Sequence, residues 1–570
     1  MIESNSRMER TNLFLNISTA GRAYIEAEAA ILNLAAGETL FRQGESAEHI
    51  YFICSGSTGV YVRSPSDEPS LIGVLHAGET IGEMALLSGQ PRSATVRAIR
   101  SCELLSLTSA QFEELLVQDP HLMRNLSLLL VERLQRTSLQ KSPTIDAKTV
   151  SLVAGTKDID ISEFAAAVSE DAANRQLNLI VVDEQNYPDF SSSMSEIESS
   201  HDIVLFNGQG SGADWVEKCM HHSDRIVVIA DIDAREPVPL PAESLRLRSS
   251  HNLLDVFLVH KSPERKKGAA GAWARHFPTN RIFHLRKNNP GDWRRFCRLV
   301  SRRGIGLVLS GGGARAYAHL GVLQALTENE IPIDFIGGTS MGAIIAAGWA
   351  NGWSIEELTD RIKAAFVSKT PLNDYQVPFK SLFKGSRVDN LLHENFEDLD
   401  IRDLWLPFYC VSTNLTTGRL HVAEKGLIRE ALRASVALPG VLPPFVHPEG
   451  VLVDGAAITN MPIDVMANRC HGPIIAVDVA RNRTIHPDDV NAYNALSFRQ
   501  QISKPLIARL LMRAATITGE RLDKSQINQA DLVITPDMLG IEIYDWKNFD
   551  QAIELGYQAA QKALVNLSIA

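Results

Sequence analysis

Apolar runs in the C-terminal half of the chain alternate with segments of helical periodicity. Residues 305–309 are continuously apolar and lead into a run of glycines, after which leucines recur with the spacing of one helix face. Residues 335–337 form a second apolar run, which ends at a glycine-flanked serine and precedes a small, apolar stretch over residues 343–350. The pattern predicts two successive strand–turn–helix units of a parallel sheet.

The N-terminal pattern is different, because short alternating segments are broken by glycine at close spacing over residues 30–108. Such a pattern predicts a β jelly roll or barrel. Helical periodicity follows over residues 110–137, with a break at Asp119 and Pro120.

Strand-like runs alternate with helical segments over residues 147–300, which predicts an α/β layer domain. The predicted strands of this layer are residues 149–154, 179–182, 203–206, 225–230 and 256–260.

Length and composition are those of a soluble protein with several domains. The chain has 570 residues, of which 45% are hydrophobic and 22% are charged, so it can bury more than one core. No apolar run reaches the roughly 18 residues of a membrane span. The first residues also lack the apolar region of a signal peptide, so we expect a cytoplasmic protein.

Cysteine spacing and net charge argue against two further classes of protein. The six cysteines are scattered without a C-x-x-C pair, and His471, beside Cys470, has no partner at metal-ligand spacing. We therefore predict no metal site. The net charge of −11 argues against a nucleic-acid-binding protein.

A glycine-flanked serine carries the first candidate chemistry. The segment Gly338-Thr339-Ser340-Met341-Gly342 has the G-x-S-x-G form of a nucleophile elbow. The motif needs both glycines, because a Cβ on either side of the serine would collide with neighbouring backbone in this tight turn. The preceding strand-to-helix junction carries three glycines whose N–H groups can face Ser340 as an oxyanion hole, namely Gly311, Gly312 and Gly313.

A short β-branched strand over residues 451–453 delivers Asp454 into a glycine turn, where ordinary turn aspartates are also common. Taken together and in this order, the segments S-G-G-G-A-R, G-T-S-M-G and D-G-A resemble the patatin-like phospholipase family. The resemblance implies a dyad without a catalytic histidine, in which Ser340 is the nucleophile and Asp454 is its base. It also implies that the three glycines bind the oxyanion and that Arg315 lies near the lipid phosphate.

Two positions depart from the family pattern, since Ser310 and Ala316 stand where the family usually has glycine. Further along the chain, the proline-rich residues 439–444, with Phe445 and Trp405, are candidates for the lining of an acyl pocket.

The N-terminal strands enclose a segment with the features of a phosphate site. Residues 82–86 can form a short turn of helix whose N–H groups face an anion, and Arg92 supplies a cation. Glu83 is placed to accept a hydrogen bond from a ribose hydroxyl. On Glu83 and Arg92 alone, a structural salt bridge between them is the competing interpretation.

Residues 78–96 as a whole resemble the phosphate-binding cassette of cyclic nucleotide-binding domains. The resemblance implies that Glu83 binds the ribose 2′-hydroxyl and that Arg92 binds the cyclic phosphate, assisted by backbone N–H groups near Ala85. Ser93 is implied to lie near the base or the phosphate. The implied binding residues are Gly82, Glu83, Ala85, Arg92 and Ser93.

The three parts in this order resemble the bacterial relatives of neuropathy target esterase over nearly the whole chain. We predict a nucleotide-binding domain at 14–140, an α/β spacer or regulatory domain at 147–300, and a patatin-like domain with a C-terminal extension at 304–570. The predicted fold class is a β jelly roll with helices, then an α/β layer, then an α/β hydrolase with a mostly parallel sheet.

The resemblance implies a serine esterase that acts on phospholipid or lysophospholipid esters, without a catalytic cofactor, at the inner face of a membrane. It also implies a cyclic nucleotide, cAMP or cGMP, as the effector. One alternative is an α/β-hydrolase with a Ser-His-Asp triad, whose base would be His447, His471 or His486. Another is a non-enzymatic nucleotide sensor whose C-terminal part only binds lipid or a partner.

Overall fold

The computed structural model shows two compact units. One comprises the chain up to Val259 together with His276–Arg281, and the other comprises His260–Arg275 and Ile282–Ala570. The structure describes residues 12–14, 16–63, 69–138, 147–210, 212–249, 253–279, 281–369, 374–376, 381–480, 491, 510, 513, 519, 521–523 and 525–565.

The first part of the N-terminal unit is built from short antiparallel strands. They are β1 (Ala30–Leu34), β2 (Thr39–Phe41), β3 (His49–Ser55), β4 (Ser57–Arg63), β5 (Pro69–His76), β6 (Thr80–Ile81), β7 (Thr95–Ala98) and β8 (Cys102–Thr108). These strands form two four-stranded sheets with the orders β1-β8-β3-β6 and β2-β7-β4-β5. The double-sheet arrangement confirms the β-rich fold predicted for this part.

Four helices accompany these strands, namely α1 (Thr19–Glu28), α2 (Glu83–Ser88), α3 (Ser109–Gln118) and α4 (Pro120–Ser138). Helix α3 begins with a capping box, in which Thr108 and Gln111 satisfy each other's backbone N–H groups. It ends at Asp119, and Pro120 starts the next helix, as predicted from the break in periodicity.

The α/β layer of the same unit contains β9 (Thr149–Ala154), β10 (Leu179–Val182), β11 (Ile203–Asn207), β12 (Arg225–Asp231) and β13 (Leu254–His260). These strands are parallel and lie in the order β10-β11-β9-β12-β13, so the five predicted strands are confirmed. The helices of the layer are α5 (Ile161–Asn174), α6 (Met194–Ser200), α7 (Ala213–His222) and α8 (Ala242–Ser249).

A buried ion cluster joins the jelly roll to the α/β layer. Arg100, in the turn before β8, donates to both carboxylate oxygens of Glu198 at 2.6 and 2.8 Å. Its Nε donates to Asp224 at 2.8 Å, and Asp224 also accepts from the Ser57 hydroxyl. Less than a tenth of each charged side chain is exposed, so each charge depends on its partners for solvation.

Replacing Arg100 by alanine is expected to lower the melting temperature of the N-terminal unit by about 10 °C. The reason is that removing one partner of a buried ion pair costs about 3–5 kcal/mol, and each kcal/mol moves the melting temperature of a domain of this size by about 2–4 °C. Differential scanning calorimetry of the whole chain measures the shift. Arg175→Ala, which breaks a partly exposed pair with Asp171, is the control and should shift it by less than about 3 °C. Equal shifts for the two variants would contradict the buried-cluster account.

The C-terminal unit contains a mixed, mostly parallel sheet. Strand β14 (Ile282–Arg286) falls within the residues of this unit but is not part of this sheet. The strands of the sheet are β15 (Gly306–Leu309), β16 (Phe335–Thr339), β17 (Phe408–Asn414), β18 (Arg419–Ala423), β19 (Phe445–His447), β20 (Gly450–Asp454), β21 (Ile474–Val477) and β22 (Leu532–Ile534). Strands β17, β16, β15, β21 and β22 are neighbours in that order and run parallel. This parallel core confirms the predicted fold class.

An antiparallel hairpin at one edge of this sheet was not predicted. Strands β19 and β20 pair with each other and extend the sheet from β17, and β18 pairs with β17 as well. The strand that ends at Asp454, β20, was predicted, but its partner β19 was missed because it has only three residues and is separated from β20 by a two-residue turn. The hairpin matters because β20 ends at Asp454.

The helices of the C-terminal unit are α9 (Ala269–Trp273), α10 (Pro290–Val300), α11 (Ala318–Glu328), α12 (Ser340–Ala350), α13 (Ile355–Ile362), α14 (Ser386–Phe396), α15 (Ile428–Ser435), α16 (Ile463–Ala467) and α17 (Phe549–Leu564). Helices α11 and α17 pack closely through Gly321 and Gly556, where a Cβ would collide with the opposite backbone. Within the described residues, no helix combines the length and apolar character needed to cross a bilayer.

Candidate active site

Ser340 stands at a sharp junction between β16 and α12. Strand β16 ends at Thr339 and the helix begins at Ser340 itself, whose φ of 55° lies in the left-handed region. A non-glycine residue rarely adopts this conformation, and it is the geometry that a nucleophile elbow imposes on its serine. Only 8% of the residue is exposed.

The two glycines of the elbow fit against the end of the neighbouring strand β15. A Cβ on Gly338 would collide with the carbonyl oxygen of Leu309, and a Cβ on Gly342 would collide with that of Ser310. Both contacts involve backbone, which cannot move aside as a side chain can. The steric reason inferred from the sequence therefore holds at both positions.

The backbone of the serine is held by a second serine. Ser340 N donates to Ser435 Oγ at 2.9 Å, and Ser435 Oγ donates to the carbonyl oxygen of Val411 at 2.7 Å. Ser435, the last residue of α15, is fully buried. This residue ties the elbow to strand β17.

The three glycines after β15 form a loop beside the serine. A Cβ on Gly311 would lie 3.0 Å from Ser340 Cβ, so the loop and the serine are in close contact. Gly313 has a φ of 58°, and a Cβ there would collide with the carbonyl oxygen of Ile543. That same oxygen accepts from Ala314 N at 2.9 Å, so the C-terminal segment holds the end of the loop.

Asp454 ends strand β20 and is almost fully buried, with 1% exposure. Its backbone N–H donates to the carbonyl oxygen of Ala437 at 3.0 Å, and its Oδ1 accepts from Ala456 N at 2.9 Å. In the sheet, Asp454 lies opposite Ser412 of β17. Backbone groups thus hold both the main chain of Asp454 and one of its carboxylate oxygens.

Ser340, Asp454 and the glycine loop line one cavity of about 770 Å³. The rest of its wall is predominantly apolar, with a tyrosine and an asparagine as further polar side chains. The other lining residues are Met341, Ile344, Phe366, Val388, Val436, Leu438, Val441, Leu442, Ala456, Asn460, Ile543, Tyr544 and Trp546.

Arg315, predicted near a lipid phosphate, lies outside the lining of this cavity. It is partly exposed, and its Nε donates to the carbonyl oxygen of Ile541 at 2.7 Å. The departures from the family glycines are both buried. Ser310 Oγ accepts from Val479 N at 3.0 Å, and the side chain of Ala316 is fully enclosed.

The histidines proposed as alternative bases are not among the residues that line the cavity in the described part of the chain. His447 lies on β19, where its Nδ1 accepts from Glu449 N at 3.2 Å. His471 is half-buried after α16. His486 lies outside the described residues.

Only some of the candidate acyl-pocket residues line the cavity. Val441 and Leu442 of the proline-rich loop line the cavity, whereas Phe445 does not. Trp405 is also elsewhere, packed between the guanidinium groups of Arg286 and Arg265, which lie 4.6 and 5.3 Å from its ring centre. Its role is packing, and the interpretation of Trp405 as an acyl-pocket residue is wrong.

The predicted nucleotide cassette surrounds the short helix α2. Gly82 precedes this helix with a φ of 89°, and Glu83 and Ala85 are buried within it, whereas Ser93 is exposed. Of the five predicted binding residues, Gly82, Glu83 and Ala85 thus belong to one turn of backbone, which Arg92 contacts through the Gly82 carbonyl oxygen.

Arg92 is buried in this cassette and its guanidinium already has hydrogen-bond partners. It donates to the carbonyl oxygens of Gly82 at 3.1 Å and of His49 at 2.6 Å, and it lies over the Phe41 ring at 4.1 Å. Burial lowers the pKa of Arg92, while the neighbouring Tyr51 and Glu83 act in the opposite direction. A buried guanidinium whose hydrogen bonds to Gly82 and His49 go to neutral carbonyl oxygens is a suitable site for an anion.

Family models match two parts of the chain, patatin-like phospholipase over residues 307–467 and the cyclic nucleotide-binding domain over residues 31–119. The protein is a patatin-like phospholipase, a lipid esterase, with an N-terminal cyclic nucleotide-binding domain. An uncharacterized NTE family protein of Mycobacterium tuberculosis is 30% identical over 552 residues, which are 93% of this chain and 91% of that protein. The chain belongs to the NTE family.

The chain is similar to two further proteins. Patatin-like phospholipase domain-containing protein 6 of Mus musculus is 25% identical, covering 92% of this chain and 44% of that protein. A solved structure of the N-terminal domain of a transcriptional regulator from Streptomyces coelicolor A3(2) is 27% identical. It matches with a TM-score of 0.20, over 23% of this chain and 92% of that one.

Several residues of the site were missed at the sequence level. Asn460 follows Asp454 by six positions in the same loop, so its proximity was a usable signal. Tyr544 and Trp546 are aromatic residues in a largely polar segment, which was a weaker signal. Ser435 and His319 carried no local signal, because a single serine or histidine in a helix is unremarkable in sequence.

Proposed function

We propose that this chain hydrolyses phospholipid or lysophospholipid esters with a catalytic dyad of Ser340 and Asp454. The observation that carries the proposal is the shared cavity, which contains the strained elbow serine, a buried carboxylate and the glycine loop. No histidine lines that cavity among the described residues, which favours the dyad over the triad.

In the proposed reaction, Ser340 Oγ attacks the ester carbonyl carbon and its proton passes to the Asp454 carboxylate. The negative charge that develops on the carbonyl oxygen is stabilised by N–H groups of Gly311, Gly312 and Gly313. Collapse of the tetrahedral intermediate expels the alcohol, which takes the proton from Asp454. Water then attacks the acyl-enzyme with Asp454 again as base, and a fatty acid and free Ser340 result.

The lining of the cavity is suited to binding the acyl chain of a lipid substrate. The cavity wall is predominantly apolar, which is the usual lining of a small-molecule site. Burial of each methylene group of an acyl chain contributes about 0.8 kcal/mol. In this proposal, Arg315 provides the positive charge for the phosphate of the head group.

A membrane surface is the proposed place of the reaction, at its cytoplasmic face. Two exposed apolar side chains lie near the hairpin that ends at Asp454, since Val446 on β19 is 80% exposed and Leu415 is 58% exposed. Leu415 N donates to the carbonyl oxygen of Val451 in the same hairpin, so the two residues are close. They are suited to shallow contact with lipid beside the hairpin that ends at Asp454.

Hydrolysis of a lipid panel tests the proposed function. The purified chain is incubated with a diacyl phospholipid, a monoacyl lysophospholipid and a water-soluble short-chain ester, and released fatty acid is measured by mass spectrometry. We expect fatty acid from at least one of the two phospholipids. Hydrolysis of the soluble ester alone would contradict the lipid assignment, and no hydrolysis at all would contradict the esterase assignment.

The cyclic nucleotide-binding domain is proposed to bind cAMP or cGMP and to control the hydrolase. The support is the intact cassette, with Glu83 and Arg92 buried beside the start of α2. A ligand changes activity only if it binds two states of the enzyme unequally, and coupling of about 5- to 150-fold is common. Lipid hydrolysis measured with and without each nucleotide reveals this coupling, and unchanged kinetics at saturating nucleotide would contradict it.

Arg92→Ala is expected to weaken cyclic nucleotide binding at least about 10-fold, because the cyclic phosphate loses its cation. Isothermal titration calorimetry with cAMP and cGMP measures the change in Kd. Arg63→Ala, at an exposed position on β4, is the control and should bind as the wild type does. Absence of wild-type binding at millimolar nucleotide, or equal affinity of the Arg92 variant, would refute the proposed site.

A further inference from the structure

Two buried side chains bind the carbonyl groups of the glycine loop. His319 Nε2 lies 2.8 Å from the carbonyl oxygen of Ser310, and Asn460 Nδ2 lies 3.0 Å from that of Gly311. Because a carbonyl oxygen only accepts, the histidine must donate from Nε2. His319 has no exposed surface and Asn460 is 4% exposed.

These two hydrogen bonds act on consecutive peptide groups. In a trans peptide the C=O and N–H bonds point in opposite directions, and the described chain contains no cis peptide bond. The Ser310 carbonyl shares its peptide plane with the N–H of Gly311, and the Gly311 carbonyl shares its plane with the N–H of Gly312. Fixing each carbonyl therefore fixes the direction of the N–H group on the opposite edge.

Each of the two side chains makes its hydrogen bond to this loop. Among the described residues, His319 Nδ1 and Asn460 Oδ1 have no hydrogen-bond partner, so the bond to the loop is the one each side chain makes. Burial lowers the pKa of His319 to about 4, so the imidazole is neutral at pH 7 and keeps the tautomer that donates from Nε2. A neutral donor orients the loop without adding charge to the site.

The loop that carries Asn460 is itself anchored. Asp523 accepts from the Thr459 hydroxyl at 2.7 Å and from the backbone N–H groups of Asn460 and Met461 at 3.1 and 3.2 Å. This carboxylate holds three successive residues, so the position of Asn460 does not depend on its side chain alone. His319 is fixed by its place in the first turn of α11.

We propose that His319 and Asn460 are positioning residues of the oxyanion hole, which hold the N–H groups of Gly311 and Gly312 toward the oxygen of the tetrahedral intermediate. This inference rests on the proposed esterase function. The effect falls on kcat rather than KM, because the charge that these N–H groups stabilise is developed in the transition state and not in the bound substrate. A hydrogen bond to the carbonyl also polarises the peptide group and strengthens its N–H as a donor.

Paired substitutions test the inference. His319→Phe keeps a ring of similar size but removes the donor, whereas His319→Gln retains an N–H donor. Asn460→Leu removes the second donor and keeps the number and branching of the non-hydrogen side-chain atoms. His393→Phe on α14, an exposed position outside the cavity lining, is the control. Melting temperatures and circular dichroism establish which variants are folded.

Steady-state hydrolysis of a short-chain ester gives kcat and KM, and the rate of labelling by a fluorophosphonate gives a second readout. We expect kcat to fall about 10- to 100-fold for His319→Phe and Asn460→Leu, below the cost of deleting an oxyanion donor outright. KM should stay within about 2-fold, labelling should slow in parallel, and His319→Gln should recover most of the loss. If His319→Phe does not fold, Asn460→Leu and His319→Gln carry the test.

Failure of the inference and failure of the proposed function are distinguishable. If the wild type neither hydrolyses esters nor reacts with the probe, the esterase function itself is wrong. If the wild type is active and the folded variants keep wild-type kcat, the positioning role is wrong while the esterase function stands. A loss in His319→Gln as large as in His319→Phe, or a loss confined to KM, also overturns the positioning role.

Discussion

Ser340→Ala is expected to lower kcat for ester hydrolysis by about 10⁵-fold, because it removes the oxygen that forms the acyl-enzyme. The cavity, the glycine loop and Asp454 remain, so substrate binding should change little. The alanine must also adopt the φ of 55° found at this position, which non-glycine residues rarely do, so the fold of the variant has to be verified. Hydrolysis assays with excess enzyme measure the residual rate, and circular dichroism verifies the fold.

Ser386→Ala is the matched control for this experiment. Ser386 is an exposed serine at the start of α14, outside the lining of the cavity. Its replacement should leave kcat within about 2-fold, as is usual for surface positions. If folded Ser340→Ala kept more than a hundredth of wild-type activity, Ser340 would not be the nucleophile.

Asp454→Asn is expected to lower kcat by about 10²- to 10⁴-fold, the range for removal of a general base. The amide has nearly the shape of the carboxylate, and its oxygen can still accept from Ala456 N. The loss therefore reports on the base and not on the position of β20. Steady-state kinetics and fluorophosphonate labelling of the variant provide the measurement.

Alanine variants of the three candidate histidines are the controls for Asp454→Asn. His447→Ala and His471→Ala should each keep kcat within about 2-fold, since neither residue lines the cavity. His486→Ala extends the series to the third candidate. Survival of activity in Asp454→Asn, together with its collapse in one histidine variant, would establish a triad and refute the dyad.

The parts of the site that are read from sequence are those in which a short segment dictates its own geometry. The elbow is one such segment, because Gly338 and Gly342 are needed by the same tight turn that strains Ser340. The glycine loop is another, since it follows directly from the end of β15. The predicted nucleotide cassette is a third, since Gly82, Glu83 and Ala85 lie together in one short helical turn.

The parts that the sequence does not reveal depend on contacts between distant positions. Asn460 binds the Gly311 carbonyl across 149 residues, and Arg315 binds that of Ile541 across 226. Such pairs leave no periodicity or spacing in the chain. The same reason explains why the sequence left Trp405 as a candidate for the acyl pocket, although in the structure two arginine side chains lie over its ring.

The ion cluster in the N-terminal unit also depends on contacts between positions that are distant in the sequence. Arg100 reaches Glu198 across 98 residues and Asp224 across 124, and nothing near Arg100 in the sequence distinguishes it from a surface arginine. Burial alone would raise the pKa of Asp224 and disfavour its ionised form, yet Arg100 holds that pKa below its usual range. The jelly roll and the α/β layer are consequently parts of one compact unit.

The most direct test of the account is the mass of the chain after reaction with a fluorophosphonate. Phosphonylation requires a serine activated by a base, and a binding module has none. Peptide mapping of the wild type should show one adduct, on Ser340, with slow labelling in Asp454→Asn and none in Ser340→Ala. An unlabelled wild type, or an adduct on a residue other than Ser340, would contradict the proposed dyad.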